Sequence, residues 1–216
     1  MLKIGRQELQ TIWEKTPVDY YEKGIKNNFG QKYWHHKKYQ IIEQVVKESK
    51  PTIILDIGCH SGDLTARIAN LFPNAQTYGV DVYEKAIKGA RKKFPKIIFL
   101  VADAQKLPFP KNTFDLILCS ETLEHVVFPQ KVLKEIKRCL KDGEIAIISM
   151  DSGSFMFNLI WFLWTHFGKG KVWAGSHLSK FNRHKLKKMI TQSGFLIKEE
   201  IISHFGMSVT FKLMKK

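Results

Sequence analysis

Cysteine is scarce, with three in 216 residues: Cys59, Cys119 and Cys139. The number is odd and no two stand at a metal-ligand spacing, which excludes a disulfide framework or a cysteine-based zinc site and predicts a reduced, cytoplasmic home. Long apolar runs are missing as well. No uninterrupted hydrophobic stretch approaches the roughly 20 residues that a bilayer requires. The opening Met1-Leu2-Lys3-Ile4-Gly5-Arg6-Gln7 runs into polar sequence rather than the apolar core of a signal peptide. No internal repeat or low-complexity segment interrupts the chain. Acids are the third shortage, 20 against 35 lysines and arginines, for a net charge of +15. The excess is uneven, because residues 151–216 hold eleven bases and three acids. Such a basic chain points to anionic partners, RNA or a membrane surface, although lysine-rich composition alone gives the same number.

What is present is enough apolar sequence, 44% of the residues, for one well-buried domain with appendages. The run Ile53-Ile54-Leu55-Asp56-Ile57 followed by Gly58-Cys59-His60-Ser61-Gly62 reads as a buried parallel strand and a tight loop. The Ala66/Ile68/Ala69/Leu71/Phe72 pattern then opens a helix. Gly58 and Gly62 permit close approach of a ligand, and the N–H groups at the helix start favour an anionic group. A second strand ends in Asp81, nineteen positions after Gly62, where dinucleotide-type folds place the carboxylate for ribose hydroxyls. A third, Ile97 to Ala104, ends with Asp103, and Phe114 to Leu118 forms a fourth. Helices around Glu84 to Phe94 and Pro129 to Leu140 alternate with these strands, which predicts a parallel sheet. The strand Ile145 to Met150 follows a turn at Lys141-Asp142-Gly143.

This succession resembles the class I S-adenosylmethionine-dependent methyltransferases. The stretch Leu107-Pro108-Phe109-Pro110-Lys111-Asn112-Thr113-Phe114-Asp115 resembles the type 11-like branch, which methylates quinones, lipids and other small molecules. The resemblance implies a three-layer α/β, Rossmann-like, doubly wound fold whose seven-stranded sheet is mostly parallel, with an antiparallel C-terminal strand. One domain over 1–216 is expected: a helical lid over 1–50 and a cofactor-binding core over 51–150 as the resemblance implies, a hydrophobic insertion or substrate cap over 151–180 that departs from the family's plain architecture, and a closing helix and strand hairpin over 181–216 that matches it. S-adenosylmethionine would be the cofactor and S-adenosylhomocysteine the product. Asp56 would hold the loop and reach the cofactor's amino end, while Gly58, Cys59 and Gly62 line the methionine moiety. Asp81 would take the ribose hydroxyls and Val82 the adenine face. Asp103 and the Ala104 backbone would meet the adenine nitrogens, with Ser120 close to the cofactor. His60 is a departure, since the family usually has glycine there.

Flanking segments set the substrate side. Tyr20-Tyr21-Glu22-Lys23 through Tyr33-Trp34-His35-His36-Lys37-Lys38-Tyr39 interleaves rings and bases, which suits a lid, an RNA contact or plain packing. Phe155 to Phe167, flanked by Lys169 and Lys171, has ten apolar residues in thirteen. Leaving them all in water would forfeit more than about 10 kcal/mol. A core helix, a cap on an apolar substrate, a dimer contact and a peripheral membrane helix carrying Trp161 and Trp164 are the open readings. Oligomeric state stays open. Asn182 is placed to cap a later helix and Gly194 to end it, before closing strands at Phe195 to Ile202 and Met207 to Met214.

After the fourth strand, Glu121, Glu124 and His125 stand at i, i+3 and i+4, on one face of a helical turn. His125, with Glu121, is the candidate catalytic group, since an imidazole titrates near neutrality. A structural turn with His125 packed beneath the cofactor is an equally open reading. The third is a divalent ion on Glu121, Glu124 and His125, although the expectation is no resident metal. Methyl transfer to a small-molecule or lipid-like acceptor is the favoured function. RNA methylation and a non-catalytic cofactor-binding partner are the alternatives.

Overall fold

The computed structural model describes residues 26–173 and 176–215, without the side chains at 169 and 172. The beginning of the aromatic-basic leader, Tyr20 to Lys23, and the side chain of Lys169 lie outside this range. Helix α1 (Phe29–Val46) starts where the Asn28 side chain accepts from the Gln31 N–H at 3.1 Å. Its buried residues Lys38, Ile41, Ile42, Val45 and Val46 follow the three-and-four spacing of one helical stripe. Burying its four aliphatic side chains is worth roughly 1.5–3 kcal/mol each.

Seven strands follow: β1 (Ile53–Ile57), β2 (Gln76–Asp81), β3 (Ile98–Val101), β4 (Phe114–Ser120), β5 (Leu140–Asp151), β6 (Phe195–Ser203) and β7 (Ser208–Lys215). They form one sheet in the order β3-β2-β1-β4-β5-β7-β6. The first five pair in parallel, and β7 runs antiparallel to both β5 and β6, as expected. Both faces are covered, and the two-residue period of the strands divides the core. Ile54, Leu116, Leu118 and Ile147 face α1 and α2 (Asp63–Leu71). Leu55, Ile57, Ile117, Cys119, Ala146 and Ile148 face the opposite layer, which holds α4 (Pro129–Cys139) and a later helix, α6 (Arg183–Gln192). Helix α3 (Glu84–Lys93) packs on β2 and β3, burying Ile87 and Ala90 beside Phe99.

Asn182 caps α6 through a 2.8 Å bond from the Lys185 N–H, and Gly194 follows its end at φ +81°. The Lys141-Asp142-Gly143 turn is a difference: these residues belong to β5, and the register with β4 slips between Phe114 and Leu116. Gly143 at φ +79° lets the strand bulge there without breaking.

Helix α5 (Phe155–Phe167) is capped by Ser154, whose hydroxyl accepts from the Phe157 N–H at 3.2 Å. It is not a core helix. Only Phe157 and Thr165 are buried, while Phe155, Met156, Leu159, Ile160, Phe162, Leu163 and Phe167 are exposed among the described residues. No helix among the described residues is long and apolar enough to cross a membrane.

Candidate functional site

Two hollows meet at the carboxyl ends of the parallel strands. The smaller, about 70 Å³, lies over the β1–α2 loop and is lined by His35, Lys38, Tyr39, Asp56, Gly58, Cys59, His60, Ser61, Asp63, Leu64, Ser120 and Glu121. The larger, about 420 Å³, is walled by Tyr33 and Trp34 of α1, floored by His125 and His177, and roofed by Phe157, Ile160, Trp161 and Trp164 of α5. These four α5 residues are one stripe at i, i+3, i+4 and i+7, so the helix turns one apolar face inward and the rest outward. His35 and Glu121 line both hollows. Among the described residues no lysine or arginine lines the larger one.

The loop geometry follows from its residues. Gly58 stands at φ +75°, and a Cβ there would come within 2.2 Å of the Thr122 hydroxyl, which itself donates to the Ile57 carbonyl. Gly62, at φ +79°, lies where a Cβ would meet the Phe99 ring at 2.6 Å. Its glycine is thus required by packing against β3, and it does not line the small cleft. His60 adopts φ +45°, in the left-handed region that glycine occupies without cost and histidine more readily than most residues. That conformation explains why glycine is usual at this position. The His60 N–H donates to Asp81 Oδ2 and the Tyr83 N–H to Asp81 Oδ1, both at 2.9 Å. Asp81 therefore ties the loop to the end of β2.

Asp56 is 2% exposed and accepts from the Thr65 hydroxyl at 2.6 Å. Burial raises its pKa to about 7, against the hydrogen bond from Thr65 and with help from Asp81. Asp103 is turned to its own turn, accepting from the Gln105 N–H at 2.8 Å. Asp56, Gly58, Cys59 and Ser120 thus share the cleft, whereas Asp81, Val82, Asp103 and Ala104 lie outside its lining, along the ends of β2 and β3.

On the acceptor side, Glu121 stands at φ +50° and holds the Lys38 ammonium at 2.6 Å. Lys38 is 1% exposed and lies 5.1 Å from the centre of the Trp34 ring. His125 is buried, and its Nδ1 lies 2.9 Å from the Ser176 carbonyl. A carbonyl only accepts, so Nδ1 carries the hydrogen and Nε2 the lone pair. Burial lowers the His125 pKa despite this bond, which keeps the ring neutral. Burial likewise holds His177 down to about 3, so its 3.8 Å approach to Asp151 is a polar contact and not an ion pair. His177 stacks on Trp161 with ring centres 4.3 Å apart and meets His125 edge-on at 5.0 Å. Glu124 is buried beside them, its pKa raised by burial and by Glu121 and Asp151. The ligand atoms of Glu124, His125 and His177 all lie within 4.8 Å of one another. The cluster therefore takes His177 in place of Glu121, whose carboxylate is committed to Lys38.

Lys38 and His177 are the residues that sequence reasoning missed. Lys38 sits among other leader lysines, and its helical spacing to Ile41, Ile42 and Val45 was the one available signal of burial. Nothing local marks His177, which reaches His125 across 52 positions. Trp161 and Trp164, which the membrane reading of this segment turns outward and the cap reading turns inward, line the larger hollow.

Residues 55–148 match a family described as methyltransferase domain. An uncharacterized methyltransferase of Schizosaccharomyces pombe is 30% identical over 59% of this chain and 51% of its own length. A demethylmenaquinone methyltransferase of Bacillus licheniformis is 27% identical over 82% of the chain and 78% of its own. The chain thus spans about half the length of the first of these relatives. Among solved structures, magnesium protoporphyrin IX methyltransferase from Synechocystis PCC 6803, with bound S-adenosylhomocysteine, superposes with a TM-score of 0.73 at 19% identity, over 98% of this chain and 100% of that one. A possible histamine N-methyltransferase of Thermotoga maritima gives 0.71 at 23% identity, over 96% and 100%. At these identities the structural likeness concerns the fold.

Proposed function

We propose that this chain is a class I S-adenosylmethionine-dependent methyltransferase, with its domain at residues 55–148, and that it transfers a methyl group to an apolar small-molecule or lipid-like acceptor held under α5. The observation that carries the reading is the junction at His35 and Glu121. There a narrow polar cleft over a glycine loop opens into an apolar hollow of about 420 Å³, within the roughly 300–1,000 Å³ of small-molecule sites.

The cleft suits the cofactor's charge. Asp56, Asp63 and Glu121 are three carboxylates in its lining, and Lys38 is paired with Glu121. An ionised Asp56 at its floor is relieved by a cationic ligand, and an α-ammonium is one. When bound, the cofactor supplies an electrophilic methyl group on a sulfonium sulfur. Asp56 would hold the amino end, with the Gly58 and Cys59 backbone and Ser120 alongside. Asp81 fixes the loop and would offer its remaining lone pairs to the ribose, while Val82, Asp103 and Ala104 would bound the adenine side.

The chain's other residues orient the acceptor and keep water out. Holding a nucleophile in line can supply up to roughly 7–11 kcal/mol, so no strong base is required. His125 and Glu121 face the acceptor and set the position of its reacting atom. Trp34, Phe157, Trp161 and Trp164 supply the dry wall. The relatives named for demethylmenaquinone and trans-aconitate methylation favour a small acceptor, and the absence of lysine and arginine from the described wall disfavours a nucleic-acid backbone there. The outward face of α5 fits a lipid surface as the source of an apolar acceptor.

The test is release of S-adenosylhomocysteine from purified protein presented with polyprenyl phenols and quinols, short water-soluble phenols and RNA. The reading predicts turnover with the apolar acceptors, and turnover with RNA alone would overturn it.

A further inference from the structure

Glu124, His125 and His177 converge from two segments of chain, the turn after β4 and the stretch that follows the 3-10 turn Lys169–Trp173. A chance meeting of three ligating side chains on a wet surface means little, but two of these are buried and the third, His177, is 18% exposed where it lines the larger hollow. Glu124 is 2% exposed and His125 8%. Glu124 Oε2 is buried and has no hydrogen-bond partner among the described residues. A buried carboxylate oxygen left so is costly, about 1–3 kcal/mol or more, and calls for an occupant.

Charge points the same way. Among the described residues Lys38 pairs with Glu121, and Glu124 has no ion-pair partner. The Nδ1 hydrogen of His125 is anchored on Ser176, which orients the ring as an imidazole ligand is oriented when its second nitrogen binds a metal.

We propose that Glu124, His125 and His177 form a binding site for one divalent first-row transition ion, Zn²⁺ or Mn²⁺ in kind, whose open coordination positions face the acceptor hollow. Two imidazoles and one carboxylate are a donor set for such ions and leave room for an oxygen ligand. Bonds of about 2.0–2.2 Å hold tetrahedral ligand atoms roughly 3.4 Å apart. The three donors lie within 4.8 Å of one another and close by up to about 1.4 Å to reach that spacing. His125 and His177 both line the larger hollow, so an ion between them meets the acceptor's polar end. The acceptor class narrows accordingly to apolar molecules bearing a hydroxyl or an enolisable carbonyl. This narrowing rests on the methyltransferase reading, but the ion site does not.

Full-length protein stripped with chelator and dialysed is titrated calorimetrically with Zn²⁺ and with Mn²⁺, and separately with S-adenosylmethionine. Expected is one ion per chain, weakened about tenfold or more in both Glu124→Gln and His177→Ala, with S-adenosylmethionine affinity unchanged within about twofold. Co²⁺ substitution would add a visible absorption band that both variants lose. If His177→Ala does not fold, as judged by near-ultraviolet circular dichroism, Glu124→Gln decides. Substoichiometric uptake by folded protein, or uptake that neither variant alters, overturns the site. Loss of S-adenosylmethionine binding alone would count against the methyltransferase reading and leave the ion site standing.

Discussion

Asp56 is the residue on which cofactor capture and folding pull in opposite directions. Burial raises its pKa from 3.8 to about 7, so the folded state prefers the protonated form. Its contribution is most favourable below about pH 4, falls as pH rises and is fully lost above about 7. A cationic ligand prefers the ionised form. Apparent affinity for S-adenosylmethionine should therefore rise between pH 6 and 8, approaching tenfold per unit well below pH 7. Burial is the main cause, the Thr65 hydrogen bond opposes it, and Asp81 adds a smaller push upward. Asp56→Asn should flatten the profile, weaken binding and yet raise the melting temperature at pH 8, by the equivalent of roughly 2–4 kcal/mol. A variant that binds with the wild-type profile would contradict the assignment. Gly58→Ala tests the loop beside it: a Cβ 2.2 Å from the Thr122 hydroxyl forces the turn to move. S-adenosylmethionine affinity should drop by about tenfold or more, with the fold retained by far-ultraviolet circular dichroism. The places of Asp56, Gly58 and Asp81 in β1, the loop after it and the end of β2 were legible in the sequence because a strand, a tight loop and an acid at a strand end have a local pattern. Lys38 and His177 were not, because their partners are decided by tertiary packing. His60 stood between: its identity was visible as a departure, and its left-handed backbone supplied the reason only in three dimensions.

The strands read clearly from apolar runs because a parallel sheet covered on both faces leaves no polar alternation to confuse the pattern. The bulge in β5 read wrongly. Lys-Asp-Gly is turn chemistry, and only pairing with β4 shows that the strand continues through it. At the slip itself Asp115, between Phe114 and Leu116, acts as a staple. It accepts from the Thr52 N–H at 2.8 Å, the Thr52 hydroxyl at 2.6 Å and the Ile53 N–H at 2.9 Å, and it meets the Lys141 ammonium at 2.5 Å. Burial alone would raise its pKa, but the bonds from Lys141, Thr52 and Ile53 win and hold it at about 2. The stabilisation is full above the unfolded value of 3.8 and is lost as pH falls through about 2. Asp115→Ala, which leaves the Thr52 and Ile53 donors unmatched, should cost about 2–3 kcal/mol in urea unfolding at pH 7. The difference from wild type should shrink toward pH 2. An unchanged midpoint would show that water replaces the carboxylate without loss.

Over the whole molecule the asymmetry is one of surface. The apolar segment after β5 was visible as a surplus that something must cover, but its division into a stripe facing the hollow and a stripe facing out was not. That division depends on where the helix rolls against α1, through Trp34 and Phe157. Phe155, Leu159, Phe162 and Phe167 now mark the outer face, on a chain of net charge +15. Vesicles containing anionic lipid should carry the protein upward in flotation, less so at high salt. Phe155→Ser with Phe162→Ser should reduce that fraction, whereas Trp161→Phe, inside the hollow, should not. Flotation insensitive to the outer phenylalanines would assign the stripe to a protein contact.

The adenosyl cleft is the premise for acceptor, lid and surface alike, and calorimetric titration with S-adenosylmethionine beside NAD tests it most directly. The account predicts one S-adenosylmethionine per chain with micromolar-order affinity, no heat from NAD, and binding weakened in Asp56→Asn at pH 8. Binding of NAD without the sulfonium compound, or a sulfonium affinity indifferent to Asp56, would contradict it.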